Sequence, residues 1–432
     1  MNGSDQARRR DGQLLIGFLL LIVTAIGFWF RWLYVLDVPF YVDEYLTIHS
    51  ARRILTDGVP LLPSGNFYSH GLLLSYIEAL VTGLGASGAW LMRLPVLIIS
   101  TVTIPLTYWL GRKSVSPAAG LIAATLLAFA PEAILWGGRV RMYAPLQFFV
   151  LLTTVVFYLW IVLEEDRGLY PILFVLFYWG ALFSHAEAML LLPIWGMWAL
   201  VQRGWRWCLR PTSLVAFGLV GLSAVVEIVL RRLGPPVQAR VAAGVFEPTS
   251  RQYLDTALDP QGLQRMIESL FLTPQRLPIT LLVLAGLGYL LLEWIRRAQP
   301  ERATERRALA YLYALFLPVL AVLLFGLSPS WKSPRYAFML LPQLFLIAAI
   351  VLTWLGRWLQ IRTGRRWAWV ALLAGLALIA IGSWPSAIAA TQESVPAYDW
   401  AFGYVENNRQ PDDKVITFLC PAAPEAGEQE AR

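Results

Sequence analysis

The sequence of 432 residues is poor in charge, lysine, histidine and cysteine. Only 15% of its residues are charged, against about 25% in soluble domains, while 57% are hydrophobic and the mean hydropathy is +0.57. That balance excludes a soluble globular domain and leaves an all-α polytopic membrane protein. Nearly all of the basic residues are arginine; the lysines are Lys113, Lys332 and Lys414. The net charge of +7 is not a nucleic-acid patch, because the arginines sit in short loops between apolar runs, where they mark topology. Nucleic acid is therefore excluded as a partner. Cys208 and Cys420 fall on opposite sides of the membrane in that topology, so no disulfide is expected. No Asp-x-Asp motif and no fixed-period repeat occur.

Apolar runs long enough to span predict about eleven transmembrane helices. They lie at about 14–34, 89–110, 117–136 and 143–163, then end near 183, 202, 230 and 294, and continue at about 309–327, to 355 and at 367–386. Arg8, Arg9 and Arg10 precede the first run, which has no small-residue cleavage site and reads as an uncleaved span. The positive-inside tendency puts the N-terminus, Arg203, Arg206, Arg210, Arg357 and Arg362 in the cytoplasm. Residues 37–88 then form a first outer loop. Its apolar stretch 71–85 carries Glu78 and several glycines and reads as a juxtamembrane helix lying on the membrane. Residues 231–277 form a second large outer loop, with a surface helix near 260–271. The expected organisation is a transmembrane catalytic unit over 1–386 and a short extracytoplasmic tail over 387–432, holding one helix and one strand. Multi-pass insertion in the plasma (inner) membrane follows.

This topology collects the unusual polar residues on the outer face. Asp43 and Glu44 follow directly on the first span, and His49, His70, Arg139, Arg141, Tyr143, His185, Glu187, Lys332 and Arg335 fall in outer loops or at outer span ends. Taken singly, an acid here reads as a helix cap and an arginine as a snorkelling side chain. Ionisable groups gathered beside a bilayer point instead to a functional surface. Carboxylates and fixed cations at headgroup level suit transfer of a group from a lipid-linked phosphate. Cations bind the phosphate and stabilise the charge that develops as it leaves. One carboxylate then suffices as general base for an acceptor hydroxyl, and a single displacement inverts the anomeric centre.

Several segments also resemble the GT-C superfamily of polyprenyl-phosphate-sugar-dependent glycosyltransferases. The branch is that of the protein O-mannosyltransferases (glycosyltransferase family 39) and the lipid A aminoarabinose transferases. Asp43-Glu44 is similar to the Asp-Glu signature of their first outer loop, and Phe67 to Tyr76, with His70, to their surface-helix segment. Arg93-Leu94-Pro95, Arg141-Met142-Tyr143 and Ser333-Pro334-Arg335-Tyr336 through Pro342 follow in the expected order. The sequence departs from the pattern at Arg139, where relatives often carry an acid, and at Gly71-Leu72, where they carry Pro-Pro. The resemblance implies a polyprenyl-phosphate-linked sugar as donor, membrane lipid as surroundings and an acceptor whose identity stays open. It implies Asp43 as the base with Glu44 beside it, and donor binding by Arg141 and Arg335, with Arg139, Tyr143, Lys332 and Tyr336 as further candidates. His49, His70, His185 and Glu187 complete the outer face. Some members of the superfamily use a divalent ion, so Mg or Mn remains open; a single carboxylate pair without Asp-x-Asp weighs against an essential metal. The rival reading is a flippase or transporter of lipid-linked sugars. Transporters place ionisable groups at mid-span, where this sequence is nearly clean.

Overall fold

A computed structural model describes residues 3–62, 67–85, 88–233, 260–295, 303–326, 333–363, 365–396, 398–408 and 410. Among the described residues the protein is helical, and the only β pairing is an isolated antiparallel bridge between Leu61 and Phe67. The strand expected in the tail, Lys332 and most of the loop 231–277 lie outside the described residues.

The long first helix α1 (Gly3–Asp37) is followed by two shorter helices, α2 (Val42–Asp57) and α3 (Leu72–Gly83). At 12 residues α3 is too short to span, as expected of a juxtamembrane helix. Next come α4 (Ala89–Ser114), the bent pair α5 (Pro117–Phe129) and α6 (Pro131–Gly137), α7 (Tyr143–Phe157), which runs on through a π-turn, and α8 (Leu169–Ser184). Later helices include Leu277–Ile295, Leu341–Thr363 and the last long one, Arg365–Thr391. Among the described residues seven helices are long and apolar enough to cross a membrane, or up to nine if each bent pair counts as one span. That falls short of the eleven expected. Each expected run is helical, but α8 has only 16 residues and the next helix, Leu192–Arg203, only 12, because a 3-10 turn over Ala186–Leu191 shortens the latter.

The centre of the bundle is α7 with Pro334–Arg362: 83% and 78% of their most apolar windows are buried, against 11% for Trp369–Thr391, which faces outward. Helices α4 and α5 pack closely where Gly111 meets Gly120; a Cβ on Gly111 would stand 2.5 Å from the Gly120 backbone. The 64° bend between α5 and α6 follows from Pro131, which has no N–H for the Leu127 carbonyl four residues back. Arg31 of α1 fills that gap, donating to the carbonyls of Leu127 at 3.3 Å and Ala128 at 3.4 Å. Lipid offers no substitute partner, so this arginine is structural although it sits within an apolar helix. The bend turns α6 and the loop after it, Gly138–Met142, across the end of α1. Arg139 and Arg141 are thereby brought to α2.

Candidate functional site

Adjacent in sequence, Asp43 and Glu44 are separated by the helix they start. Successive helical residues point about 100° apart. Glu44 turns inward and is wholly buried against Arg93 of α4, which donates from Nε at 3.0 Å and from Nη2 at 2.8 Å. The same carboxylate accepts the N–H of Tyr41 at 2.7 Å, a reciprocal cap on α2, and the N–H of Val140 at 2.8 Å. Arg93 spends its remaining donors on the carbonyls of Val35, Val38 and Pro39. Glu44 therefore joins α1, α2, α4 and the 138–142 loop, and its oxygens are all engaged.

Asp43 turns the other way and keeps 27% of its side chain exposed. Two guanidiniums flank Oδ2: Arg141 Nη2 at 3.5 Å and Arg335 Nη1 at 4.0 Å. Arg141 is fixed by donating to the Asp43 carbonyl at 2.9 Å and to the Tyr68 hydroxyl at 2.8 Å. The buried charge of Arg141 is held above the usual arginine range: burial works against it, but Tyr68 and Asp43 outweigh burial. Arg335 enters from the 3-10 turn Pro334–Leu340 and lies over the ring of Tyr336, 5.1 Å from its centroid. Gly71, at φ +76°, lets the chain pass here: a Cβ would meet Met142 at 2.9 Å.

Beside these groups stands a cluster of rings. His185 has the rings of Tyr143, His70 and Tyr336 within 5.9–6.2 Å, and Tyr68 lies 6.1 Å from His70. Glu187 belongs to the same group. Its backbone N–H donates to His185 Nδ1 at 3.3 Å, and its carboxylate lies 3.6 Å from that nitrogen. Burial pushes the Glu187 carboxyl well above the usual carboxylate range, with Arg335 opposing. His49 is half-buried on α2, some way beyond Asp43.

Arg139 is placed differently from Arg141, two residues away. It lines a cavity of about 770 Å³ together with Tyr41, Glu132, Trp136, Arg276, Arg335 and Glu393. The walls are largely apolar, with Phe316, Leu320, Phe338 and Leu341 among them. Two of its arginines carry their own carboxylates: Arg276 pairs with Glu132, and Arg139 with Glu393. Arg335 belongs to both places, lining the cavity and reaching Asp43.

The structure thus groups Asp43, Arg141, Tyr143, Arg335, Tyr336, His70, His185 and Glu187. It assigns Glu44 to a buried lock and Arg139 to the cavity wall. Sequence reasoning passed over Tyr34, Glu132, Arg276 and Glu393. The available signal was charge at span ends, but each looked like an ordinary interfacial residue. Among the described residues no three His, Cys, Asp or Glu side chains come together, and the carboxylate of Asp43 faces two cations.

The family model for dolichyl-phosphate-mannose-protein mannosyltransferase matches residues 69–230, which hold Arg93, Arg141, His185 and Glu187 but neither Asp43 nor Arg335. Similar solved structures include ArnT from Cupriavidus metallidurans in the apo state, with a TM-score of 0.64 and 14% identity over 96% of this chain and 84% of that one. The apo oligosaccharyltransferase of Archaeoglobus fulgidus gives 0.59 and 15% over 92% of this chain. The arabinosyltransferase EmbB from Mycobacterium smegmatis gives 0.52 and 15% over 78% of this chain and 30% of that one. This chain spans 58% of the length of the archaeal enzyme. No curated protein matches the sequence. The matched family and these neighbours all belong to the GT-C glycosyltransferase superfamily, and the chain has the fold of that superfamily.

Proposed function

We propose that the protein is an integral membrane glycosyltransferase that moves a sugar from a polyprenyl-phosphate donor to the hydroxyl of an extracytoplasmic acceptor, with inversion and with Asp43 as general base. The observation that carries this reading is the position of Asp43: a part-exposed carboxylate facing Arg141 and Arg335, the second of which also lines an apolar-walled cavity. Support comes also from a neighbour of the same fold, ArnT from Cupriavidus metallidurans, solved bound to undecaprenyl phosphate.

In this reaction the prenyl chain lies along the apolar wall, and its phosphate meets Arg335 and Arg141. The acceptor oxygen bonds to the anomeric carbon as the bond from that carbon to the phosphate oxygen breaks. Asp43 takes the acceptor proton, and the phosphate leaves with one more negative charge, which the guanidiniums offset. No acid is needed on the leaving side. Glu187 and the His185 cluster lie beside Tyr143 and can hydrogen-bond the sugar. The catalytic face is extracytoplasmic in this reading, as charge at the opposite loop ends requires.

The test is to incubate the purified chain in detergent with a panel of polyprenyl-phosphate sugars and measure free polyprenyl phosphate. Release with at least one sugar is expected. A protein that binds such lipids, carries them across vesicles and releases none is the transporter instead.

A further inference from the structure

Arg139 is almost wholly buried at 4% exposure, yet it lines the cavity. Its Nε donates to the Tyr34 hydroxyl at 2.7 Å, and Nη2 donates to the carboxylate of Glu393. Tyr34 donates to the same carboxylate at 2.9 Å. The guanidinium also lies over two rings, 4.2 Å from the centroid of Tyr41 and 5.0 Å from that of Trp136. Tyr41 is the residue just before α2, and Asp43 is in the first turn of that helix. The anion on Arg139 lines the same cavity as Arg335, which reaches Asp43.

The two partners differ in how firmly they are held. Arg139 is fixed by Tyr34 and by the aromatic faces. Glu393 lies two residues past the end of the last long helix, in a non-helical segment, with 29% of its side chain exposed. The other ion pair of the cavity is different: Glu132 is part of α6 and its backbone cannot leave. A buried guanidinium that loses its counter-charge is costly, and carboxylate and phosphate offer it the same oxygen acceptors.

We infer that Glu393 holds the place of the donor phosphate: its carboxylate neutralises Arg139 while the cavity contains no lipid phosphate, and an arriving phosphate displaces it. The inference rests on the donor class proposed above. It makes Arg139 a donor ligand only after exchange, and it makes the segment after Thr391 move when donor binds.

The experiment measures binding of a polyprenyl phosphate to the purified full chain in detergent, for the parent, Glu393→Gln, Arg139→Gln and the double variant. Glu393→Gln should bind about tenfold tighter, within the ordinary range of coupling between two sites. Arg139→Gln should bind more weakly, and adding Glu393→Gln to it should change nothing. Glu132→Gln removes the same charge from the same cavity and should give a smaller gain. Unchanged or weaker binding by Glu393→Gln, or a gain that persists without Arg139, overturns the inference while leaving the donor class standing. A parent that binds no polyprenyl phosphate overturns both. If Glu393→Gln does not fold, Val395→Cys, at a half-buried position two residues on, in a chain with Cys208→Ser and Cys420→Ser, reads the same event. Its thiol should react faster when polyprenyl phosphate is added, and an unchanged rate refutes the displacement.

Discussion

Arg93 holds both oxygens of Glu44, from Nε at 3.0 Å and from Nη2 at 2.8 Å, and neither side chain is exposed. Removing one member leaves a buried, uncompensated charge, which costs about 3–5 kcal/mol. Arg93→Ala should therefore lower the melting temperature far more than Asp43→Asn does. Thermal unfolding in detergent checks this, and equal losses for the two variants would contradict the lock.

Asp43→Asn should lower transfer per folded molecule by about 10²–10⁴-fold, the usual effect of losing a general base, with polyprenyl-phosphate binding retained. The amide keeps the shape but accepts no proton. A variant that melts earlier yet keeps the parent rate would make Asp43 a helix cap. Glu44→Gln should act mainly through stability.

Arg335→Ala and Arg141→Ala should each weaken donor binding by about 1.5–3 kcal/mol, the worth of a hydrogen bond to a charged group. Arg335 reaches both the cavity and Asp43, so it should also slow the chemical step. Equilibrium binding with single-turnover rates separates the two effects; parent values in both would make these arginines ordinary surface residues.

Glu78 on α3 is wholly buried, and neither carboxylate oxygen has a hydrogen-bond partner among the described residues. Burial, with the nearby charge of Glu44 adding to it, pushes its carboxyl up to about 9. A folded pKa raised above the unfolded value gives stability that is full below the unfolded value and lost as pH rises through the folded one. Glu78→Gln should thus gain on the parent in melting temperature as pH rises from about 4.5 towards 9. A difference that stays constant across that window would show that Glu78 does not titrate there.

Single cysteines at positions 57 and 400, in a chain without the native thiols, should react with an impermeant reagent on intact cells. Cysteines at 205 and 362 should react only after permeabilisation. Labelling of 362 from outside would invert the orientation proposed here.

The apolar runs, the arginine-rich loops between them and the short helix over 72–83 are legible in the sequence, because the bilayer imposes length and hydropathy on each segment separately. Asp43 and Glu44 could be singled out for the same local reason, as charges beside lipid. What each does was decided by tertiary structure. The bend at Pro131 carries Arg139 and Arg141 to α2, and the rotation per helical residue then gives one acid to Arg93 and leaves the other facing Arg141 and Arg335. Arg93 lies 49 residues from its partner and Glu393 lies 254 from Arg139. No spacing or periodicity encodes such pairs: ion pairs between distant segments exist only after the helices pack, when a buried charge takes whichever counter-charge that packing brings within reach.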